Sequence, residues 1–185
     1  MTIYLALLRG INVGGHNKLK MAELRTSLES LGLQNVKTYI QSGNVLFGWN
    51  DGAEILHKQI ESKIEEDFGI SSAVIIRTKE ELQEIINHCP FSEQDISKAA
   101  SSAKGESLHV ALLQEIPSNE GIDKLSACVN EREQCAVNGR NIYLLFHDSI
   151  RNSKLGNQLN KIGVPATVRN WKTLNKLLSM SEELD

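Results

Sequence analysis

A short apolar strand, an amphipathic helix, a hairpin, a second helix and a closing strand occur in that order twice along this chain. That repetition restricts the fold more than any other feature. In the first half, residues 3–8 are nearly continuous apolar sequence, as suits a strand buried on both faces. Met21, Leu24, Leu28 and Leu31 then recur at helical spacing. Residues 36–40 and 45–47 flank Gln41-Ser42-Gly43-Asn44, a hairpin turn in which Gly43 can take positive φ. A helix over 53–68, a strand over 73–76 and a helix over 79–88 stopped by Pro90 complete the half. The order β-α-β-β-α-β is the split unit of ferredoxin-like folds.

The second half repeats it, with strands at 108–113, 134–137, 141–146 and 166–168 and helices at 121–129 and 150–162. Ala6-Leu7-Leu8 parallels Ala111-Leu112-Leu113, Gly43 parallels Gly139, and Arg77 with Leu82 parallels Arg169 with Leu174. The offset between matched residues shrinks along the chain, as it does when a second copy trims its loops. The expectation is therefore an α+β protein, a tandem duplication of ferredoxin-like (α-β plait) units with antiparallel sheets. The stretch 97–105, rich in Ala, Ser, Lys and Gly, breaks the periodicity. It places one domain at 1–98, a linker at 99–105 and the second domain at 106–185.

Composition narrows the function classes. A chain of 185 residues with 41% hydrophobic content can bury a substantial core. The net charge of -3 gives no whole-molecule attraction to nucleic acid or anionic membrane, so any such attraction must be local. Cys89, Cys128 and Cys135 lack C-x-x-C spacing and fit neither a disulfide framework nor a zinc ribbon, so they read as reduced, mostly buried thiols. No metal site and no disulfide are expected. The apolar run at 3–8 is too short to span a membrane and no basic leader precedes it, which points to the cytoplasm.

Chemistry-bearing residues concentrate in the connection after the first strand. Arg9, Asn12, Gly14, Gly15, Lys18 and Lys20 combine cations, amide donors and exposed backbone N–H groups. Lys18 and Lys20 stand at the N-terminus of the first helix, where the macrodipole opposes cations and a bound anion would reverse the sign. The pattern matches neither the dinucleotide nor the P-loop fingerprint, and a long strand-to-helix connection can also need glycines for turns alone. Gln41, Ser42 and Asn44 could present two amides and a hydroxyl beside this loop, though these are also common turn formers. Serine catalysis by Ser42 lacks an oriented base: His16 is the one nearby candidate and no carboxylate is placed to hold it. The chain has no acidic residue before Glu23, and none between Asp148 and Glu182. The second acid-free stretch carries Arg169, Asn170 and Trp171, where Trp171 could stack on a ligand ring or anchor the last helix.

The strings R-G-I-N-V-G-G at 9–15 and T-Y-I-Q-S-G-N-V at 38–45, together with Met21, Leu24 and the cluster Arg169-Asn170-Trp171, resemble the bacterial family called domain of unknown function 1697. The resemblance extends over nearly the whole chain. It implies a two-part α-β plait architecture and no assigned activity.

Three functions compete. The first is binding of a small anionic ligand, phosphorylated or nucleotide-like, at the loop from Arg9 to Lys20, with turnover left open and no cofactor assigned. The second is a nucleic-acid-binding module, disfavoured because RNP aromatic strings are missing and only 5% of residues are aromatic. The third is a regulatory or assembly protein, such as a homodimer paired through a sheet. No membrane partner is expected.

Overall fold

In a computed structural model, which describes residues 1–184, the expected order is realised twice. The first set comprises β1 (Thr2–Leu8), α1 (Met21–Glu29), β2 (Gln34–Tyr39), β3 (Asn44–Trp49), α2 (Leu56–Phe68) and β4 (Val74–Thr78), followed by α3 (Lys79–Asn87) and α4 (Glu93–Ser102). The second comprises β5 (Leu108–Leu113), α5 (Asn119–Ser126), β6 (Glu133–Asn138), β7 (Asn141–Phe146), α6 (Lys154–Leu159) and β8 (Ala166–Asn170), followed by α7 (Trp171–Glu182). Two four-stranded sheets form, ordered β2-β3-β1-β4 and β6-β7-β5-β8. Every strand pair is antiparallel. The two sheets thus share one strand order, and the chain is an α+β protein built from two similar βαββαβ units.

By internal contacts, one compact unit is Met1–Glu84 with the residues from Lys176 onward, and the other is Ile85–Asn175. In the first, Tyr4, Ala6 and Leu8 of β1 join Val45 and Phe47 of β3 beneath Leu24 and Leu28 of α1 and Ile60 and Ile64 of α2. Tyr4 and Phe47 stack with centroids 6.0 Å apart. Leu5, Leu7, Leu46 and Ile75 point to the opposite side of the pleat and are buried too. Burial on both faces explains why β1 carries no polar alternation. In the second unit, Ala111, Leu113, Leu144 and Phe146 pack with Leu125 of α5 and Leu155 of α6. On the other side of that sheet, Leu108 and Leu145 pack with Ala99 of α4.

The matched arginines occupy matched sites. Arg77 pairs in register with Leu5, and Arg169 with Val110. Both are buried, at 2% and 8% exposure. The helices after β4 and β8 are also capped in parallel. Thr78 and Glu81 form a reciprocal capping box at α3, and the Thr173 N–H donates to Asn170 Oδ1 at α7.

Several boundaries differ from the periodicity. Residues 93–102 are helical where the composition suggested a break, because Ser92 caps the first turn by accepting from the Asp95 N–H and the small Ala99 lets α4 approach Leu108 and Leu145. Alanine and serine give little hydrophobic signal yet suit a helix approached this closely. The segment 99–105 therefore begins as the last turn of α4. Helix α6 is shorter than 150–162, starting where Ser153 accepts from the Gly156 N–H. No helix among the described residues is long and apolar enough to cross a membrane.

The repeat offers a matched pair of turn glycines. Gly43 has φ +80°, and a Cβ there would lie 2.7 Å from Leu8 Cβ. Gly139 has φ +58° with nothing within 4 Å of that position. Gly43→Ala therefore combines a left-handed penalty with a core clash and should cost about 2–4 kcal/mol, whereas Gly139→Ala carries only the conformational penalty, about 1 kcal/mol. Urea denaturation of both variants checks the difference.

Candidate functional site

The connection between β1 and α1 spans residues 9–20 and is a built structure. Its midpoint is a miniature hairpin. The Asn12 N–H donates to the Asn17 carbonyl (3.0 Å) and the His16 N–H to the Val13 carbonyl (2.9 Å), with Val13 and His16 bridged. Gly14 and Gly15, at φ +56° and +78°, supply the two positive angles that a tight two-residue turn needs. Gly10, Asn12 and Asn17 are left-handed as well, so half of residues 8–17 have positive φ. The glycines take these angles freely, whereas Asn12 and Asn17 do so at a cost and are held by bonds from their own side chains.

Asn12 is the principal clasp. Its Oδ1 accepts from the Leu19 N–H at 2.8 Å, while its Nδ2 donates to the carbonyls of Leu19 (2.9 Å) and Gln41 (2.7 Å). One side chain thus closes the loop on itself and ties it to the β2–β3 turn. Asn17 Nδ2 donates to the Gly10 carbonyl at 3.0 Å. The Arg9 backbone is held by Ala73 and by the Ser72 hydroxyl, and Ile11 and Leu19 are buried at either end. What remains exposed is the tip, from Val13 to Lys18, with Arg9 and Lys20 at the base.

The candidate residues therefore divide. Arg9, Gly14, Gly15, Lys18 and Lys20 are exposed on one loop, joined by His16, and are available to a ligand. Asn12 spends its amide on Leu19 of the loop and on Gln41 of the neighbouring turn. Asn44 is fully buried, with Nδ2 donating to the Tyr39 carbonyl and the Ser42 hydroxyl, so Asn44 and Ser42 shape the turn. Gln41 is exposed and contributes its carbonyl to the clasp.

Arg169, Asn170 and Trp171 belong to the second unit, each with a structural task there. The Arg169 guanidinium donates to the Thr167 hydroxyl (2.6 Å) and the Val168 carbonyl (3.1 Å), and burial pulls its pKa down to about 10, so it stays charged at neutral pH. Asn170 caps α7. Trp171 packs against the cluster that includes Leu108 and Ala99. The three cysteines are free and half-buried. Among the described residues no group of three or more His, Cys, Asp or Glu could hold a metal ion.

Sequence reasoning missed Ile40. Its φ is +48°, a left-handed conformation that a β-branched side chain adopts at real cost, and it is 51% exposed. Val13, 61% exposed, is a second solvent-facing apolar side chain on the neighbouring loop. No sequence signal marks an isoleucine as left-handed.

The second unit joins the equivalent elements differently. Between β5 and α5 the chain uses residues 114–118, and Ser118 caps the helix by accepting from the Gly121 N–H. At α1 the cap position is Lys20, whose side chain makes no cap bond.

The fold and this loop define a two-unit α-β plait protein carrying one elaborated strand-to-helix connection. Residues 1–143 match the family described as "Protein of unknown function (DUF1697)", and the chain belongs to that family. A solved structure, that of the conserved bacterial protein SP0830 from Streptococcus pneumoniae, is similar at 25% identity and a TM-score of 0.75, over 97% of this chain and 98% of that one. None of the curated proteins matches.

If Asn12 is the clasp, Asn12→Asp should loosen the loop without unfolding the unit, because it replaces two donated bonds by a carboxylate facing two carbonyls. Each such lost bond costs about 1–3 kcal/mol. Hydrogen exchange should accelerate at 13–19 and 40–42 while β1 and β3 stay protected.

Proposed function

We propose that the β1–α1 loop binds a small anionic ligand, phosphorylated and nucleotide-like, through Arg9, His16, Lys18, Lys20 and the exposed amides of Gly14 and Gly15. One observation carries this reading: the same strand-to-helix step takes twelve residues in the first unit and five in the second. Glycines needed only to turn the chain would not require that length, since the second copy turns in five residues with a serine cap. The extra residues are instead clasped into a defined shape that presents cations and leaves Lys20, with no side-chain cap, at a helix N-terminus. Backbone N–H groups and the macrodipole there favour an anion.

Val13 and Ile40 extend the reading to the ligand's other part. They are apolar, exposed, and carried on two loops that the Asn12–Gln41 bond joins. A bare phosphate would gain nothing from them, whereas a ligand with a ring beside its phosphate would cover them. The sheets themselves offer no such platform: Leu5, Leu7, Val110 and Leu112, which point away from the helix-side cores, are all buried. That burial weighs against reading the sheet as a nucleic-acid surface.

A thermal-shift panel of inorganic phosphate, pyrophosphate and nucleoside mono- and triphosphates tests the reading. Saturation at about 100 times Kd adds about 2.7 kcal/mol, several degrees for a chain of this size. The expected result is stabilisation by nucleotides exceeding that by phosphate, abolished in the Lys18→Glu, Lys20→Glu double variant. Ile40→Asn should raise the unliganded stability by about 0.5–1 kcal/mol, through relief of the left-handed strain, while weakening nucleotide binding. No stabilisation by any anion would end the proposal.

A further inference from the structure

Two of the cysteines, Cys128 and Cys135, rest against the same core cluster of the second unit, beside Leu125 and Leu144. After α5 the chain reverses into β6 through a tight pair in which Asn130 and Glu133 exchange both backbone hydrogen bonds, at 2.9 and 3.3 Å. Two residues outward from that pair, on either arm, stand Cys128 and Cys135. Cys128 stands in the closing turn of α5, its N–H bonded to the Leu125 carbonyl at 3.0 Å, and Cys135 on β6, and both side chains pack against the one core cluster. The Cys135 thiol is pushed up, by burial first and by the nearby Cys128 second. Cys89 sits elsewhere, in the cluster with Phe91 and Trp171.

We propose that Cys128 and Cys135 form a reversible thiol–disulfide pair, a modification site for hydroperoxide oxidants that links the end of α5 to the edge strand β6. Cys128 as thiolate attacks the peroxide. Its sulfur gains an S–O bond and becomes a sulfenic acid, the O–O bond breaks, and the reduced oxygen leaves as hydroxide. The Cys135 sulfur then attacks the Cys128 sulfur, forming the S–S bond and expelling a second hydroxide. The two protons shed by the thiols convert both hydroxides to water. Cys135, whose burial makes ionisation harder, is assigned the second, resolving step. The product closes a short loop around the Asn130–Glu133 reversal and ties α5 to β6, the outer strand of its sheet. Exchange with a small thiol reopens it.

The sequence suits a direct test on the full chain. Hydrogen peroxide treatment is followed by alkylation, unfolding and trypsin, which cuts after Lys124, Arg132 and Arg140 and so places the two cysteines in peptides 125–132 and 133–140. The expected result is that these peptides travel as one species, lighter by two hydrogens than their sum and separated by dithiothreitol, while Cys89 is recovered alkylated. Recovery of the two peptides unlinked, alkylated or carrying sulfinic or sulfonic acid, overturns the proposal. A Cys135→Ser protein should accumulate Cys128 sulfenic acid that dimedone labels, and labelling no greater than at Cys89 overturns the assigned order of attack. The mapping on the unaltered chain stands whether or not that variant folds.

Discussion

Burial of both faces of the central strand governs the first unit. β1 lies between β3 and β4, with Tyr4, Ala6 and Leu8 under α1 and α2 and with Leu5 and Leu7 buried on the other side. A strand in that position tolerates almost nothing but apolar side chains, since an unpaired polar group there costs on the order of 1–3 kcal/mol. Polar and charged side chains are thereby displaced to the ends of β1, at Thr2 and Arg9. At the end where β1 finishes, three features meet through named bonds: the loop at 9–20, the β2–β3 turn held by Asn12, and the segment before β4 that holds Arg9 through Ala73 and Ser72.

The second copy of the unit shows which parts of that end the fold requires. Gly43 and Gly139 both turn a hairpin, Arg77 and Arg169 both lie buried in register with the central strand, and Thr78 and Asn170 both cap the helix that follows. These features recur because the same sheet recurs. The miniature hairpin at 12–17, the cluster of cations and the left-handed Ile40 belong to the first unit alone. Strain that the fold does not demand, held in place by side-chain clasps, is the feature on which the proposed binding role of this loop rests.

Much of the architecture was legible in the sequence. The continuous apolar runs at 3–8 and 108–113, the glycines at the hairpin turns and the helical spacing of Met21, Leu24 and Leu28 each carry a period that only one element satisfies. Helix α4 was not legible, because its one fully buried residue is an alanine and Ile96 is its single large apolar side chain among mostly polar neighbours. At the loop, the sequence displayed donors and cations without showing who consumes them. Asn12 reads as a ligand donor, yet its amide satisfies Leu19 and Gln41. Arg169 reads as part of a basic stretch, yet it alternates with Val168 and Asn170 along β8 and turns inward with Thr167; its match to Arg77 in the apolar strand β4 was the available sign of burial. Ile40 carried no sign at all, since left-handed geometry in a β-branched residue is imposed by its surroundings.

The most direct test of the account is a nitrogen-15 amide titration of the whole chain with the nucleotide that stabilises it most. The expected result is shift changes confined to residues 9–20 and 40–43, with the short connection at 114–118 and the turn at Gly139 unmoved. Changes centred on the second unit, or spread along the strands with the loop silent, would contradict the claim that the elaborated β1–α1 connection is the binding site.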